Sequence, residues 1–174
     1  MGVRSASEVA PAVEDFDAFY AREYAAMVAL AYVLSGSRWA AEDLAQEAFL
    51  AAHREWERIG AYDRPGAWVR QVVMNKAASA VRRRIVETKA LARIAFGRTP
   101  DVDDMPQESA DFWHAVRELP KRQGQVVALH YLEDLSVAQI AAIIGTAEGT
   151  VKKHLHDARQ TLAHRLGVEE EEGA

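Results

Sequence analysis

Leu135 to Leu166, LSVAQIAAIIGTAEGTVKKHLHDARQTLAHRL, is the stretch whose reading decides the fold. Ser136 is placed to cap a short helix that turns Ile140, Ala141 and Ile144 inward, because a serine hydroxyl accepts from the free N–H groups of a first turn. Gly145 permits a tight turn. Thr146 is expected to cap a second helix with Val151, Leu155, Ala158 and Leu162 on its inner side. The small Ala141 suits the crossing of the two helices. Ala147, Glu148, Gly149, Thr150, Lys152 and Lys153 are left outward at the start of the second helix, where the recognition helix of a helix-turn-helix meets bases and phosphates. An ordinary helical hairpin with a solvated lysine face has the same spacing, so this stretch leaves both readings open.

Upstream, Phe112, Val116 and Leu119, then Val126, Val127, Leu129 and Leu132, carry the apolar pattern, punctuated by Pro120. A helical domain over 112–167 is therefore expected. Before it, Gly97 to Pro106, GRTPDVDDMP, has two prolines, three aspartates and almost no apolar periodicity. That composition buries too little surface to fold alone and marks a linker, taken as 87–111.

A first domain, 15–86, precedes the linker. Phe16, Phe19, Tyr20, Tyr24, Met27, Ala31 and Leu34 recur at three- and four-residue steps and predict a helix over 16–34. Ser35, Gly36 and Ser37 break it, and Ser37 caps a second helix from about Trp39 to Trp56, with Leu44, Ala48, Ala52 and Trp56 along one side. The turn-rich interval from Gly60 to Gly66 sets Pro65 at the start of a third helix through Arg84. Its apolar set, Trp68, Val72, Val73, Ala77 and Val81, leaves Arg70, Lys76, Arg82, Arg83 and Arg84 to face outward. The fold class is all-α: two small helical domains joined by an acidic flexible linker, the C-terminal one a helix-turn-helix.

Bulk properties narrow the function. The 174 residues are 49% hydrophobic and 27% charged, which is globular. There is no cysteine, which removes disulfides and thiolate chemistry and fits a reducing cytoplasm. Residues 1–14 read as a flexible start without a signal peptide, and no apolar run approaches the roughly 20 residues that span a bilayer. The net charge of −5 hides a sorting: Arg64 to Arg98 holds nine Lys or Arg against the single acid Glu87, Asp101 to Asp111 holds five acids, and Glu169 to Glu172 is wholly acidic.

No catalytic constellation emerges. His53, Glu55 and Glu57 lack metalloprotease spacing, Ser35 and Ser37 lack a nucleophile elbow, and there is no glycine-rich phosphate loop. His154 and His156 do not share a helical face and have no evident third partner for a metal. The reading calls for no cofactor, no metal and no enzymatic activity.

These residues resemble the extracytoplasmic-function sigma factors of bacterial RNA polymerase, with a likeness to the actinobacterial SigE-like type. AQIAAIIGTAEGTVKKHLHDAR resembles their promoter-binding helix-turn-helix, and LPKRQGQVVALHYLEDLS the first half of that domain. AEDLAQEAFLAAHREW, from Ala41 to Trp56, is similar to the polymerase-binding helix, and PGAWVRQVVMNKAASAVRRR, from Pro65 to Arg84, to the promoter-melting helix. The three blocks stand in the family's order and span about residues 16 to 166.

The resemblance implies roles. Asp43, Gln46 and Glu47 would meet the clamp helices of the large polymerase subunit, with the polymerase flap as a further contact. The loop from Ile59 to Arg64, including Tyr62 and Arg64, with Arg70, Asn75, Lys76, Ser79, Arg82, Arg83 and Arg84, would serve the minus-ten element. Thr146, Glu148, Gly149, Thr150, Lys152, Lys153, His154 and Arg159 would serve the minus-thirty-five element. Here the sequence departs from the family: Lys153, His154, His156 and Asp157 stand where a serine and arginines are usual, which puts the base preference in doubt. Promoter DNA and core polymerase are the implied partners. Family members are often held by an anti-sigma protein, and since only a short acidic tail, 168–174, follows the last helix, a signal would have to come through such a partner or through synthesis. Thr99 to Asp111 would lie in the cationic path of nascent RNA, or else act as a solvated spacer. The competing reading is a free-standing helix-turn-helix regulator whose N-terminal helices sense a ligand or dimerise.

Overall fold

The computed structural model describes residues 14–91 and 107–167, all of whose regular structure is helical. The expectations for the N-terminus, for Asp101, Asp103 and Asp104 of the linker, and for the acidic tail lie outside the described residues. Eight helices follow in order: α1 (Phe16–Ser35), α2 (Arg38–Arg54), α3 (Trp56–Ile59), α4 (Pro65–Leu91), α5 (Gln107–Arg117), α6 (Lys121–Tyr131), α7 (Val137–Ile144) and α8 (Glu148–Leu166).

α1 is the helix on which the others assemble. Asp15 caps it by accepting from the Asp17 N–H, and Gly36 ends it in the left-handed region at φ 71°. A Cβ there would also stand 2.8 Å from Arg117 Nε of α5, so a side chain would have to displace that flexible arginine as well as adopt the left-handed backbone. Phe19, Met27, Leu30, Ala31 and Val33 of α1 are buried. α1 packs on α2 and α4 of its own half and on α5 and α6 of the other. The apolar side chains of both halves thus join one continuous core.

Aromatic rings close the far end of the first half. Phe19 stacks on Trp56 at 4.7 Å between centroids, Phe16 meets Trp56 edge-on at 5.2 Å, and Tyr20 meets Phe49 at 4.8 Å. Such pairs contribute about 0.5–1.5 kcal/mol each beyond the area they bury. Trp56 Nε1 donates to the Glu14 carbonyl at 2.9 Å, so its polar edge is satisfied.

Several helix limits differ from the sequence reading. Trp56 opens the separate turn α3, because Glu55 at φ −120° interrupts the second helix. α4 runs to Leu91, past the expected end near 84–86, since no glycine or proline occurs between Arg84 and Leu91. α5 starts at Gln107, inside the interval read as linker. On α4 the buried residues are Val69, Val73, Met74 and Ala77, with Trp68, Val72 and Val81 only half-buried. The core stripe is therefore rotated from the one predicted, because α4 packs on α1 and α2 of its own half and on α7 of the other at once.

The helix-turn-helix forms as α7 and α8. Ser136 and Gln139 make a reciprocal capping box, satisfying two otherwise free N–H groups. Gly145 turns the chain at φ 68°. Thr146 does not cap α8: Ala147 holds the cap position without a side-chain bond, and the Thr146 N–H instead donates to the Ala141 carbonyl at 3.0 Å. Val151, Leu155, Ala158 and Leu162 all point inward as expected.

A Cβ at Gly145 would touch nothing within 4 Å, so Gly145→Ala isolates the backbone term. It should cost about 1–2 kcal/mol through left-handed strain alone. A urea melt of the Ala variant checks this, and an unshifted midpoint would mean the turn relaxes to another geometry.

Candidate polymerase- and promoter-binding surfaces

α2 presents its polar face outward because Ala41, Leu44, Ala45, Ala48, Phe49 and Ala52 occupy the opposite side. Asp43, Gln46 and Glu47 are all exposed on it. Two large apolar residues share that face. Trp39 is 79% exposed and Leu50 56%. Steps of four, three and four residues set Trp39, Asp43, Gln46 and Leu50 in line along about 16 Å of helix. Sequence reasoning missed Trp39 and Leu50; the signal available was their position off the Leu44–Ala48–Ala52 core stripe.

The residues expected at the minus-ten element separate into three groups. Asn75, Lys76, Ser79 and Arg83 line a groove between α2 and α4, together with Leu44, Glu47 and Val72. Within it Lys76 Nζ donates to Glu47 Oε2 at 2.6 Å, so two residues assigned to different partners neutralise one another here. Ser79 Oγ donates to the Asn75 carbonyl at 3.0 Å. Tyr62 and Arg64 form a second group in the exposed loop before α4, where the Tyr62 hydroxyl accepts from Arg58 and the Arg58 guanidinium lies 5.7 Å from the Tyr62 ring centre.

Arg70 and Arg82 face the second half of the protein. Arg82 lines a cleft between α4 and α5–α6. Arg70 was expected to face outward, and it does not. Its Nη1 donates to Glu23 Oε2 of α1 at 3.0 Å, while Nε and Nη2 both reach Glu133 Oε2, in the turn between α6 and α7, at 2.6 Å. The rotation of the core stripe that buries Val69 and Met74 is what turns Arg70 toward this contact. Burial raises the Glu133 carboxyl above its ordinary pKa, an effect that the Arg70 hydrogen bond and charge partly offset. Arg84 extends the basic run in sequence, but its side chain lies outside the described residues.

On the recognition face, Glu148, Gly149, Thr150, Lys152, Lys153 and Arg159 are exposed, while Thr146 and His154 are half-buried. Lys153 Nζ bonds Asp157 Oδ2 at 2.9 Å and holds that carboxyl below its usual range. Arg159 Nε donates to the Tyr131 hydroxyl at 2.8 Å, with the guanidinium 5.9 Å from the ring centre. Lys152 carries its charge outward at the first turns of α8, where bound phosphate would also find free N–H groups. Among the described residues no cluster of three or more His, Cys, Asp or Glu could hold a metal ion.

The order of these surfaces along the chain coincides with two family matches. Residues 19–85 match sigma-70 region 2, and residues 109–162 match sigma-70 region 4. The ECF RNA polymerase sigma factor SigL of Mycobacterium tuberculosis is 32% identical over 158 residues, covering 88% of each chain. The chain belongs to the ECF sigma factors of the sigma-70 family. ECF sigma factor SigE of Mycolicibacterium smegmatis is 33% identical over 156 residues, which is 83% of this chain but only 59% of that one. Among solved structures, the sigma factor RpoE bound to the anti-sigma factor NepR, from Bartonella quintana, superposes with a TM-score of 0.67. It is 25% identical and covers 90% of this chain and 99% of its own. No described helix of this sigma factor is long and apolar enough to cross a membrane.

If Trp39 and Leu50 serve binding and not packing, their removal should leave the fold untouched. Trp39→Ala and Leu50→Ala should change unfolding free energy by no more than about 0.5 kcal/mol. Phe49→Ala, beside Leu50 but buried, should cost about 3–5 kcal/mol. Denaturant titration of the three variants separates the two classes; a large loss for Trp39→Ala would make it a structural residue.

Proposed function

We propose that this chain binds core RNA polymerase through the outer face of α2, brings it to promoters that carry two separated elements, and opens the duplex at the downstream one. The observation that carries this reading is the sequence of exposed surfaces on one chain: an acidic and apolar strip on α2, a basic groove on α4, and a helix-turn-helix face on α8. A free-standing regulator needs only the last of these.

In mechanism, Asp43, Gln46 and Glu47 supply hydrogen-bond acceptors and charge to the polymerase, while Trp39 and Leu50 bury apolar surface at the two ends of the strip. An interface of this kind draws most of its energy from a few large residues at its core. Lys152, Lys153 and Arg159 hold phosphates of the upstream element, and Glu148 and Thr150 face base edges. At the downstream element, Asn75 offers an amide to an unstacked base, with Lys76 and Arg83 on the flanking phosphates. Unstacking costs a few kcal/mol per step, and capture of the extruded base offsets part of it. The protein supplies recognition and strand opening; phosphodiester chemistry belongs to the polymerase. It acts in the cytoplasm, where core polymerase is. By analogy with the RpoE and NepR pair, an anti-sigma protein is a fitting inhibitory partner.

Core binding is measured by titrating labelled protein with bacterial core polymerase. Replacing Asp43, Gln46 and Glu47 together with alanine should weaken binding at least about tenfold, and Trp39→Ala alone about as much, given truncation costs near 2 kcal/mol for buried interface aromatics. Unchanged affinity in both variants would remove α2 from the interface. For DNA, Lys152→Ala in the holoenzyme should lower affinity on all promoter sequences alike and reduce the salt slope by about one. A change confined to particular base pairs would instead make Lys152 a base reader.

A further inference from the structure

Tyr131, the last residue of α6, stands half out of water at 49% exposure. Its hydroxyl accepts from Arg159 Nε of α8 at 2.8 Å, and the guanidinium lies 5.9 Å from the ring centre. The ring is held by two others: Phe112 of α5 meets it edge-on at 6.2 Å between centroids, and His130 at 4.9 Å. His130 is anchored in turn, its Nδ1 lying 3.1 Å from the Leu135 carbonyl. An exposed arginine on α8 is thus given a fixed place by an aromatic cluster built on α5 and α6.

The direction of the bond between Tyr131 and Arg159 matters. A guanidinium has no acceptor, so the phenol oxygen takes the hydrogen and keeps its own proton for another partner. Among the described residues neither that O–H nor the Nη groups of Arg159 make a further bond. Other cations of α8 are spent on acids, Lys153 on Asp157 and Arg165 on Glu118. Arg159 meets only a neutral oxygen, which orients the fork without cancelling its charge. Orientation counts, because an arginine gives up rotamer freedom when it takes up a phosphate, and less remains to be lost where the side chain is already held. Position agrees with this. Arg159 follows Lys152 by seven residues, two turns and about 10 Å of axis, on the same exposed side of α8. The first turns of a recognition helix meet base edges, and positions farther along it reach the backbone.

We propose that Tyr131 and Arg159 form one phosphate clamp on promoter DNA, in which the Tyr131 hydroxyl orients the guanidinium and donates its own proton to the phosphate that Arg159 binds. A backbone phosphate offers two unbridged oxygens, one for an Nη–H and the other for the phenol O–H. Bonds to an ionised acceptor are shorter and stronger than bonds between neutral groups, so both donors gain by the exchange of water for phosphate. The charge belongs to Arg159, and Tyr131 adds direction and one further donor. Neither reads a base, so the clamp sets register and affinity but no sequence preference. This rests on α8 being the face that meets promoter DNA.

Tyr131→Phe keeps the ring and removes only the hydroxyl, so its unfolding midpoint in urea should equal that of the parent. Affinity is measured for the full chain assembled with bacterial core polymerase, on genomic promoter duplexes from which the parent protein initiates. Tyr131→Phe should weaken binding at least about threefold on every such duplex, at an unchanged salt slope because no charge is lost. Arg159→Ala should weaken it about tenfold and lower the slope by about one. With Arg159 already alanine, Tyr131→Phe should cost less than about 1.5-fold more, as for two groups that act as a unit. A scan of single neutral methylphosphonates should find one phosphate whose replacement removes the Tyr131→Phe penalty. Parent-like affinity for Tyr131→Phe, or an equal loss with and without Arg159, would overturn the clamp and leave the functional reading standing, since the parent still initiates on those duplexes. Absence of any core-dependent initiation by the parent would overturn both.

Discussion

Burial of the α1 face that carries Phe19, Met27, Leu30, Ala31 and Val33 is the constraint on which the rest of the molecule depends. Each of the five is removed from water, and neighbours from both halves are needed to do it. Removing one such side chain leaves a cavity that costs about 3–5 kcal/mol for a phenylalanine, a large share of the stability of a small domain. With α1 fixed, α2 has one side available for packing and must turn Asp43, Gln46 and Leu50 to solvent. α4 likewise buries Val69, Val73 and Ala77 and carries its basic residues around the remaining arc.

The same packing accounts for how an acidic protein can address DNA. Its net charge of −5 is not spread evenly. Cations concentrate on α4 and on the outer face of α8, and several of them are paired internally: Lys76 with Glu47, Lys153 with Asp157, Arg70 with Glu23 and Glu133. A free chain so neutralised presents little positive field at distances beyond a Debye length. Specific binding then depends on a partner that re-sorts these pairs, which is the division of labour expected between a sigma factor and its polymerase.

Much of this was legible in the sequence, for physical reasons that differ by element. The helix-turn-helix was readable because capping serine, turn glycine and four inward apolar residues reinforce one another over thirty residues, and all but the Thr146 cap are realised. Ser37 and Pro65 marked helix starts because their chemistry is local. The stripe on α4 was misjudged because it depends on neighbours from both halves at once: α7 packs on α4 from the far half, which no periodicity within the helix encodes. Arg70 followed the same error, since a lone arginine on a helix reads as solvated until Glu23 and Glu133 are brought up from 47 and 63 residues away. Trp39 was passed over for the opposite reason: its place off the Leu44–Ala48–Ala52 stripe was legible, but a tryptophan on a polar face is not read as a binding residue until the fold shows it 79% exposed.

The most direct test of promoter-specific initiation is a transcription assay with bacterial core polymerase on a pool of genomic fragments, with and without this protein, mapping start sites and the reactivity of unstacked bases. We expect starts that require the protein, share one two-part motif upstream, and show open bases at its downstream part. No protein-dependent start with cognate core, alongside specific binding of the protein alone to a DNA site, would contradict the sigma-factor mechanism and leave a free-standing regulator in its place.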